Sequence, residues 1–391
     1  MSKQVDLGIY VHIPYCLQRC TYCDFATYVH TEIPAPHEYV KLLLEEIKLR
    51  KQSFPPQILK SLYFGGGTPS LIPAELIVEL IQFLSKLGYA TGPQTEVTIE
   101  INPATVDEKK LDLYLKNGVN RFSVGAQTFS DRLLKMVHRE HNSQQTKETL
   151  ELLHKRNLNF SFDLLFALPS QTLEELDTDL KIAVELGSKH ISPYCLTVPE
   201  GHPLSKNRPP EDDQIEMFQR IHKRLLEKGF YRYEISNYSL PGFESQHNNL
   251  YWTDQNFWGL GLSAHSYNKL ATPWGKRFWN PNSYKLYQEQ IVDKLKEPKT
   301  NQQEVLQEHQ SLTDFCHTAL RLSKGLSVQN VVEKFGLQTK TKIEAVAQPL
   351  LKNRLLDYAN NHYFLTDRGV LISNQIFEKF TFSKDDLRID N

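Results

Sequence analysis

Cys16, Cys20 and Cys23 fall within eight residues of one another and are the side chains of this sequence best suited to chemistry. Thiolates at this spacing can converge on one soft metal centre. Three readings stand side by side. Buried structural cysteines are one, although they have no need to cluster. Zinc is another, with a fourth ligand drawn from His12, Asp24 or His30. An iron–sulfur cubane is the third. Cubanes usually take four cysteines, so three ligands leave one iron open to a substrate or cofactor.

A second feature is the run Gly65-Gly66-Gly67-Thr68-Pro69. Taken alone it is a tight turn, and it lacks the Lys of a phosphate-binding loop. Beside the cysteines it reads as backbone that a ligand can approach closely, because Gly has no Cβ. Further along, His247-Asn-Asn-Leu-Tyr251-Trp252 combines an imidazole with two aromatics. Its plain reading is a loop pinned by aromatic burial.

The elements that must position these groups follow from periodicity. Short β-type runs cover Gly8 to Pro14, Ser61 to Gly67, Glu96 to Asn102, Arg121 to Gln127, Phe160 to Leu168 and His190 to Leu196. Amphipathic helical stretches lie between them, with apolar residues recurring at three and four. Strands alternating with helices predict right-handed βαβ units and a parallel sheet. The expected fold is therefore α/β, a partial (β/α)6 TIM-like barrel. Alternation places Thr98, Glu100 and Asn102 on one face of their strand and Val97, Ile99 and Ile101 on the other. The same split turns Tyr10, His12, Gly125, Gln127 and Asp163 toward a common interior, a cavity suited to a polar ligand. Chemistry in such barrels sits at the C-terminal strand ends, where the cysteines, the glycine turn, Glu100 and Gln127 fall.

The expected domains are a core barrel over 1–240, an irregular aromatic-rich segment packing on it over 241–300, and a C-terminal domain over 301–391. The last reads as helices followed by strand-turn-strand, the winged-helix outline. Its basic and acidic residues nearly cancel, so it lacks the electrostatic footprint of a nucleic-acid binder. The whole chain of 391 residues is likewise balanced, with a formal net charge of −1. No apolar run approaches the roughly 18 residues of a membrane span. Five cysteines, an odd number with three clustered, do not suit a secreted disulfide framework, and the N-terminus is a poor secretory signal. The expected compartment is a reducing cytoplasm.

The string Tyr10-Val-His-Ile-Pro-Tyr-Cys16-x3-Cys20-Thr-Tyr22-Cys23-Asp24-Phe25 resembles the radical S-adenosylmethionine (SAM) superfamily, within its HemN-like group. GGGTPS (65–70), TIEINP (98–103), VGAQTF (124–129), DLLFALPSQT (163–172), YEISNY (233–238), HNNLYW and GLGLSAHS (259–266) extend the likeness along most of the chain. The resemblance implies a 4Fe-4S cluster on Cys16, Cys20 and Cys23, with SAM chelating the open iron. One electron from the cluster would then cleave SAM to methionine and a 5'-deoxyadenosyl radical. It also implies cofactor contacts at Tyr10, Tyr22, Gly66, Gly67, Thr68 and Glu100. Gln127, Arg139 and Asp163 match positions that contact a second SAM in coproporphyrinogen dehydrogenases. Ala167 and Ser170 replace two glycines usual in the fifth-strand motif, and Leu196-Thr-Val-Pro-Glu200 departs from the usual Leu-Thr-Ile-Glu-Pro.

HNNLYW resembles the HNxxYW motif of HemW-type haem chaperones, which implies His247 as a haem ligand. Two absences agree with that subgroup: Phe25 stands where the dehydrogenases carry a further Cys, and only 15 residues precede Cys16. The expectation is a haem carrier rather than a decarboxylating enzyme, with oxygen-independent coproporphyrinogen III dehydrogenase as the alternative. Its implied partners are haem as cargo, acceptor haem proteins such as respiratory ones, and an electron donor. No nucleic acid is among them, and membrane proteins would be met only in transient contact.

Overall fold

The computed structural model describes residues 5–297 and 299–387. Six strands form a parallel ladder: β1 (Leu7–Ile13), β2 (Leu59–Gly66), β3 (Thr91–Ile101), β4 (Arg121–Gln127), β5 (Phe160–Phe166) and β6 (His190–Cys195). Helices fill every gap: α1 (Pro36–Arg50), α2 (Ala74–Lys86), α3 (Glu108–Lys116), the pair α4 (Asp131–Met136) and α5 (Ser143–Lys155), and α6 (Leu173–Glu185). Their placement follows from the residues. Ile77, Leu80, Ile81 and Leu84 make one buried stripe on α2, as helical periodicity requires. Capping boxes of Asn142 with Gln145 and Thr172 with Glu175 start α5 and α6.

The strand faces divide as alternation predicts. Val97, Ile99, Ile101, Phe122, Val124, Phe160 and Phe162 are buried in the main core. Glu100, Ser123, Asp163 and Ser192 point the other way, into a cavity. After β6 come α7 (Glu211–Glu227), β7 (Tyr231–Glu234) and β8 (Asn237–Ser239); β8 pairs antiparallel with β6. The sheet curls without closing: among the described residues its two margins do not pair.

Within residues 241–297, expected to be irregular, three strands join the same sheet. These residues form α8 (Gln246–Trp252), β9 (Asn256–Leu260), β10 (His265–Asn268), β11 (Lys276–Trp279) and α9 (Tyr284–Val292). β9 joins β1 in parallel, and β10, β11 and β12 (Gln303–Val305) extend the margin antiparallel, giving a sheet of twelve strands. The C-terminal region packs α10 (Glu308–Arg321), α11 (Val328–Phe335) and α12 (Leu337–Lys352) with a small sheet whose hairpin is Leu356–Ala359 and His362–Leu365, around a second hydrophobic core. That is the order expected of a winged-helix outline.

One buried carboxylate fastens the sheet extension to the barrel. Glu46 on α1 accepts from Arg50 (2.8 Å), from Asn280 Nδ2 (2.7 Å), from Gly261 N–H (2.8 Å) and from the Tyr287 hydroxyl (2.8 Å). Arg50 and Glu46 are only 1% and 0% exposed. Removing one partner of such a pair leaves the other charge buried and unpaired. Glu46→Ala is therefore expected to lower unfolding free energy by about 3–5 kcal/mol. Denaturant unfolding monitored by tryptophan fluorescence checks this, and a loss below about 1 kcal/mol, the range of an exposed pair, would refute it.

Candidate functional site

A cavity of about 510 Å³ runs down the barrel interior. Its upper wall is built from C-terminal strand ends: Gly66 at the end of β2 with Gly67 and Thr68 after it, Asn102 after β3, Gln127 at the end of β4 and Cys195 at the end of β6. Cys16, Cys20, Tyr22 and Cys23 on the loop after β1 complete it.

The floor is closed by α8. The Glu96 carboxylate, near the start of β3's core, accepts the N–H groups of Gln246 and His247, both at 3.0 Å, an arrangement that suits the positive end of a helix. Arg121 lies 3.7 Å from the same carboxylate. Gly8 makes this approach possible, because a Cβ there would meet Leu250 Cδ1 at 2.4 Å. His247 thus enters the barrel from below. Its Nδ1 is hydrogen-bonded to Ser61 Oγ at 2.7 Å and its Nε2 to the Tyr251 hydroxyl at 2.8 Å, and its ring stacks on Tyr63 at 4.9 Å. Burial, with Arg121 adding to it, pushes its pKa down to about 3. The imidazole is neutral, 2% exposed and has both nitrogens occupied. In this structure His247, expected from the sequence as a haem ligand, packs the floor with its ring nitrogens on Ser61 and Tyr251. Tyr10 also lies off the cavity wall. Its hydroxyl bonds His12 Nδ1 at 3.0 Å, and His12 Nε2 bonds the Ala26 carbonyl at 2.9 Å, so Tyr10 braces the loop beyond Cys23.

The middle of the cavity holds the carboxylates. Glu100 accepts from the Tyr63 hydroxyl and from Gly66 N–H, each at 2.9 Å. Burial outweighs these bonds and pushes its pKa up to about 7. Burial raises Asp163 as well, against bonds from Ser192 and Ser123. Arg139 is threaded beneath the cysteine loop, donating to Asn102 Oδ1, to the Gly125 carbonyl and, at 3.4 Å, to Cys20 Sγ. Gly67 must be glycine, since a Cβ would stand 2.7 Å from the Tyr15 carbonyl oxygen.

The three cysteines are partly exposed free thiols on one wall. Burial first, then the charges of Cys23 and Cys20, raises Cys16 to about 11, while Thr68 and Thr27 hydroxyls oppose the rise. Burial also raises Cys23. Sulfurs that penalise one another's ionisation are a donor set that a soft cationic centre would relieve. Among the described residues no three His, Cys, Asp or Glu side chains are grouped to hold a single metal ion. His12, one candidate for a fourth zinc ligand, has both ring nitrogens hydrogen-bonded, to Tyr10 and to the Ala26 carbonyl, and three thiols without it are a donor set that suits a cluster with one iron left open.

The cavity gathers Tyr22, Gly66, Gly67, Thr68, Glu100, Gln127, Arg139 and Asp163 with the cysteines, as expected from the sequence. Tyr63, Arg121, Ser123 and Asn248 also line it and were not singled out. Alternation carried the signal for two of them, since Tyr63 shares parity with Gly65, and Ser123 with Gly125.

Comparisons with known proteins agree with this architecture. Residues 10–183 match the model of the Radical SAM superfamily, and residues 306–372 match the HemN C-terminal domain. The chain is 32% identical to the heme chaperone HemW of Lactococcus lactis, covering 95% of this chain and 96% of the relative. It is 32% identical to that of Haemophilus influenzae over 97% and 99%, and 37% identical to that of Escherichia coli over 71% and 73%. Coproporphyrinogen III oxidase (HemN) from Escherichia coli, described as a radical SAM enzyme, superposes with a TM-score of 0.82 at 22% identity, covering 97% of this chain and 90% of that one. A cysteine loop over a polar barrel, joined to a HemN-type C-terminal region and matched end to end by these relatives, establishes that the chain belongs to the radical SAM superfamily and, within it, to the HemW family.

Proposed function

We propose that this protein is a haem chaperone: it binds haem, a 4Fe-4S cluster and SAM, and delivers the haem to acceptor haem proteins. The observation that carries the reading is identity of 32% to heme chaperones over almost the full length of both chains. Likeness to coproporphyrinogen III oxidase at 22% identity concerns the fold alone, so the decarboxylating alternative has less behind it. A cytoplasmic setting fits the reduced cysteines, and no helix is long and apolar enough to cross a membrane among the described residues. Respiratory haem proteins as acceptors, and a separate electron donor, belong to the same proposal.

Within this reading Cys16, Cys20 and Cys23 hold the cluster. A bound cluster would supply one-electron reducing chemistry for SAM. Gly66, Gly67 and Thr68 offer backbone that the amino acid end of SAM can approach without a Cβ in the way. Glu100, already fixed by Gly66 and Tyr63, accepts from its amino group. Arg139 donates to Cys20 Sγ and Tyr22 lies against the same sulfur, so both residues would steady that ligand. Gln127 and Asp163 face the same interior and provide polar contacts for a second ligand. His247 and Tyr10 act indirectly, by fixing the floor and the cysteine loop.

Two outcomes follow. Replacing all three of Cys16, Cys20 and Cys23 by Ala is expected to abolish bound iron, sulfide and the broad visible absorption in anaerobically purified protein. Retention of stoichiometric iron and sulfide would remove the cluster assignment. The Glu100 carboxyl, raised to about 7, is mostly neutral at pH 6 and mostly ionised at pH 8. Since the ionised form is the better acceptor, SAM affinity is expected to rise across that window, by up to about tenfold per pH unit. Glu100→Gln should flatten the profile in equilibrium dialysis; an unchanged slope would exclude Glu100 as its origin.

A further inference from the structure

We infer that haem docks across the mouth of the barrel cavity, with His138 as axial ligand to its iron and Leu17, Phe25 and Tyr194 against the macrocycle. The inference rests on the haem-chaperone reading and names the site within it. A metalloporphyrin presents a flat apolar disc, an iron that takes an imidazole on its axis, and two carboxylates at one edge. A site for it must offer apolar contact, a free imidazole and a cation, all reachable from solvent.

The cavity mouth supplies each. Leu17, Phe25 and Tyr194 line it while remaining 41%, 65% and 41% exposed. Large apolar side chains gathered at an open rim mark a binding surface rather than a core. His138 lines the same rim and is exposed. Among the described residues its ring makes no hydrogen bond, whereas its backbone is held: its N–H donates to Lys135 O at 3.2 Å and its carbonyl accepts from Gln18 Nε2 at 3.3 Å. The imidazole therefore projects from a fixed turn with both nitrogens available. Arg19, exposed on the same rim, has no ion-pair partner among the described residues, and a guanidinium suits a propionate. Glu140 is the opposing charge on this rim.

The alternatives fit less well. His247 is buried with both nitrogens bonded, and reaching it would mean opening α8 from Glu96. Cys195 is exposed at the mouth, but Arg208 and Gln214 already contact its sulfur. The lower interior is lined by Arg121, Glu100 and Asp163, a wall on which an apolar disc would strand buried polar groups.

Hemin and metal-free protoporphyrin IX, titrated separately into the full-length, cluster-reconstituted protein, test this. His138 has φ of +55°, a conformation that glycine adopts without strain, so His138→Gly should fold normally by circular dichroism. It is expected to weaken hemin binding by about tenfold or more, to lose the six-coordinate low-spin Soret signature, and to regain that signature when free imidazole is added. Its affinity for metal-free porphyrin should stay unchanged. Phe25→Ser should weaken both probes. Wild-type hemin affinity and spectrum in His138→Gly would overturn the inference. So would loss of the axial signature in His247→Ala with His138→Gly unaffected, or porphyrin binding indifferent to Phe25→Ser. If the unmodified protein takes up no hemin, the haem-carrier reading itself fails, an outcome separate from all of these.

Discussion

Ionisable side chains buried inside the barrel are the constraint on which the rest of the structure depends. A charge removed from water must be met by a partner or be neutralised, and each case here is answered by a specific element. Glu96 is met by the N-terminus of α8 and by Arg121. Glu100 is met by Gly66 N–H and Tyr63, and Arg139 by Asn102, Gly125 and Cys20. These partnerships shut the lower end of the barrel and fix the glycine turn beside the cysteine loop. The cysteine loop and the glycine turn stand at the other end of the cavity, at the C-terminal strand ends.

The closed lower end draws support from outside the barrel. Arg321 on α10 bonds Glu234 at 3.1 Å and lies over the Trp252 ring at 4.6 Å. Lys334 on α11 bonds Asp254, just beyond α8, at 2.8 Å. Trp274 stacks on Phe335 with rings 5.7 Å apart. The C-terminal region therefore holds α8 from beneath while α8 holds His247 inside.

Much of this was legible from residues alone, for a physical reason. Strands that expose one face to helices and the other to a polar interior must alternate, so Glu100, Gln127 and Asp163 could be assigned to the interior without coordinates. The cysteine spacing and glycine turn are local and needed no tertiary knowledge. What escaped depends on distant pairing. β9 is short and Gly-containing, and it becomes a strand by docking on β1, some 250 residues earlier in the chain. α8 is short and polar by composition, so its amphipathic character is invisible until Ser61, Glu96 and Tyr63 surround it. The surroundings of His247 were hidden for the same reason: Ser61, which its Nδ1 meets, is 186 residues away.

The division between floor and mouth bears on what a carrier must do. A ligand enclosed among satisfied polar groups can leave only if those bonds break first, and opening α8 would uncover Glu96 and Arg121 together. Release from there would be coupled to partial unfolding. A disc resting on exposed Leu17, Phe25 and Tyr194 has one face open to an acceptor and gives up little buried surface on leaving. Handing cargo to another protein favours the second arrangement, because affinity must be sufficient to load and weak enough to lose. The polar interior can then serve the cluster and SAM with its geometry undisturbed, while exchange takes place at the rim above it. The same cysteine loop borders both, since Cys16, Cys20 and Cys23 line the wall and Leu17, Arg19 and Phe25 between and beside them reach the mouth. Ordering that loop through Arg139 and Thr68 therefore shapes the rim as well as the ligand set, which ties the state of one compartment to the form of the other.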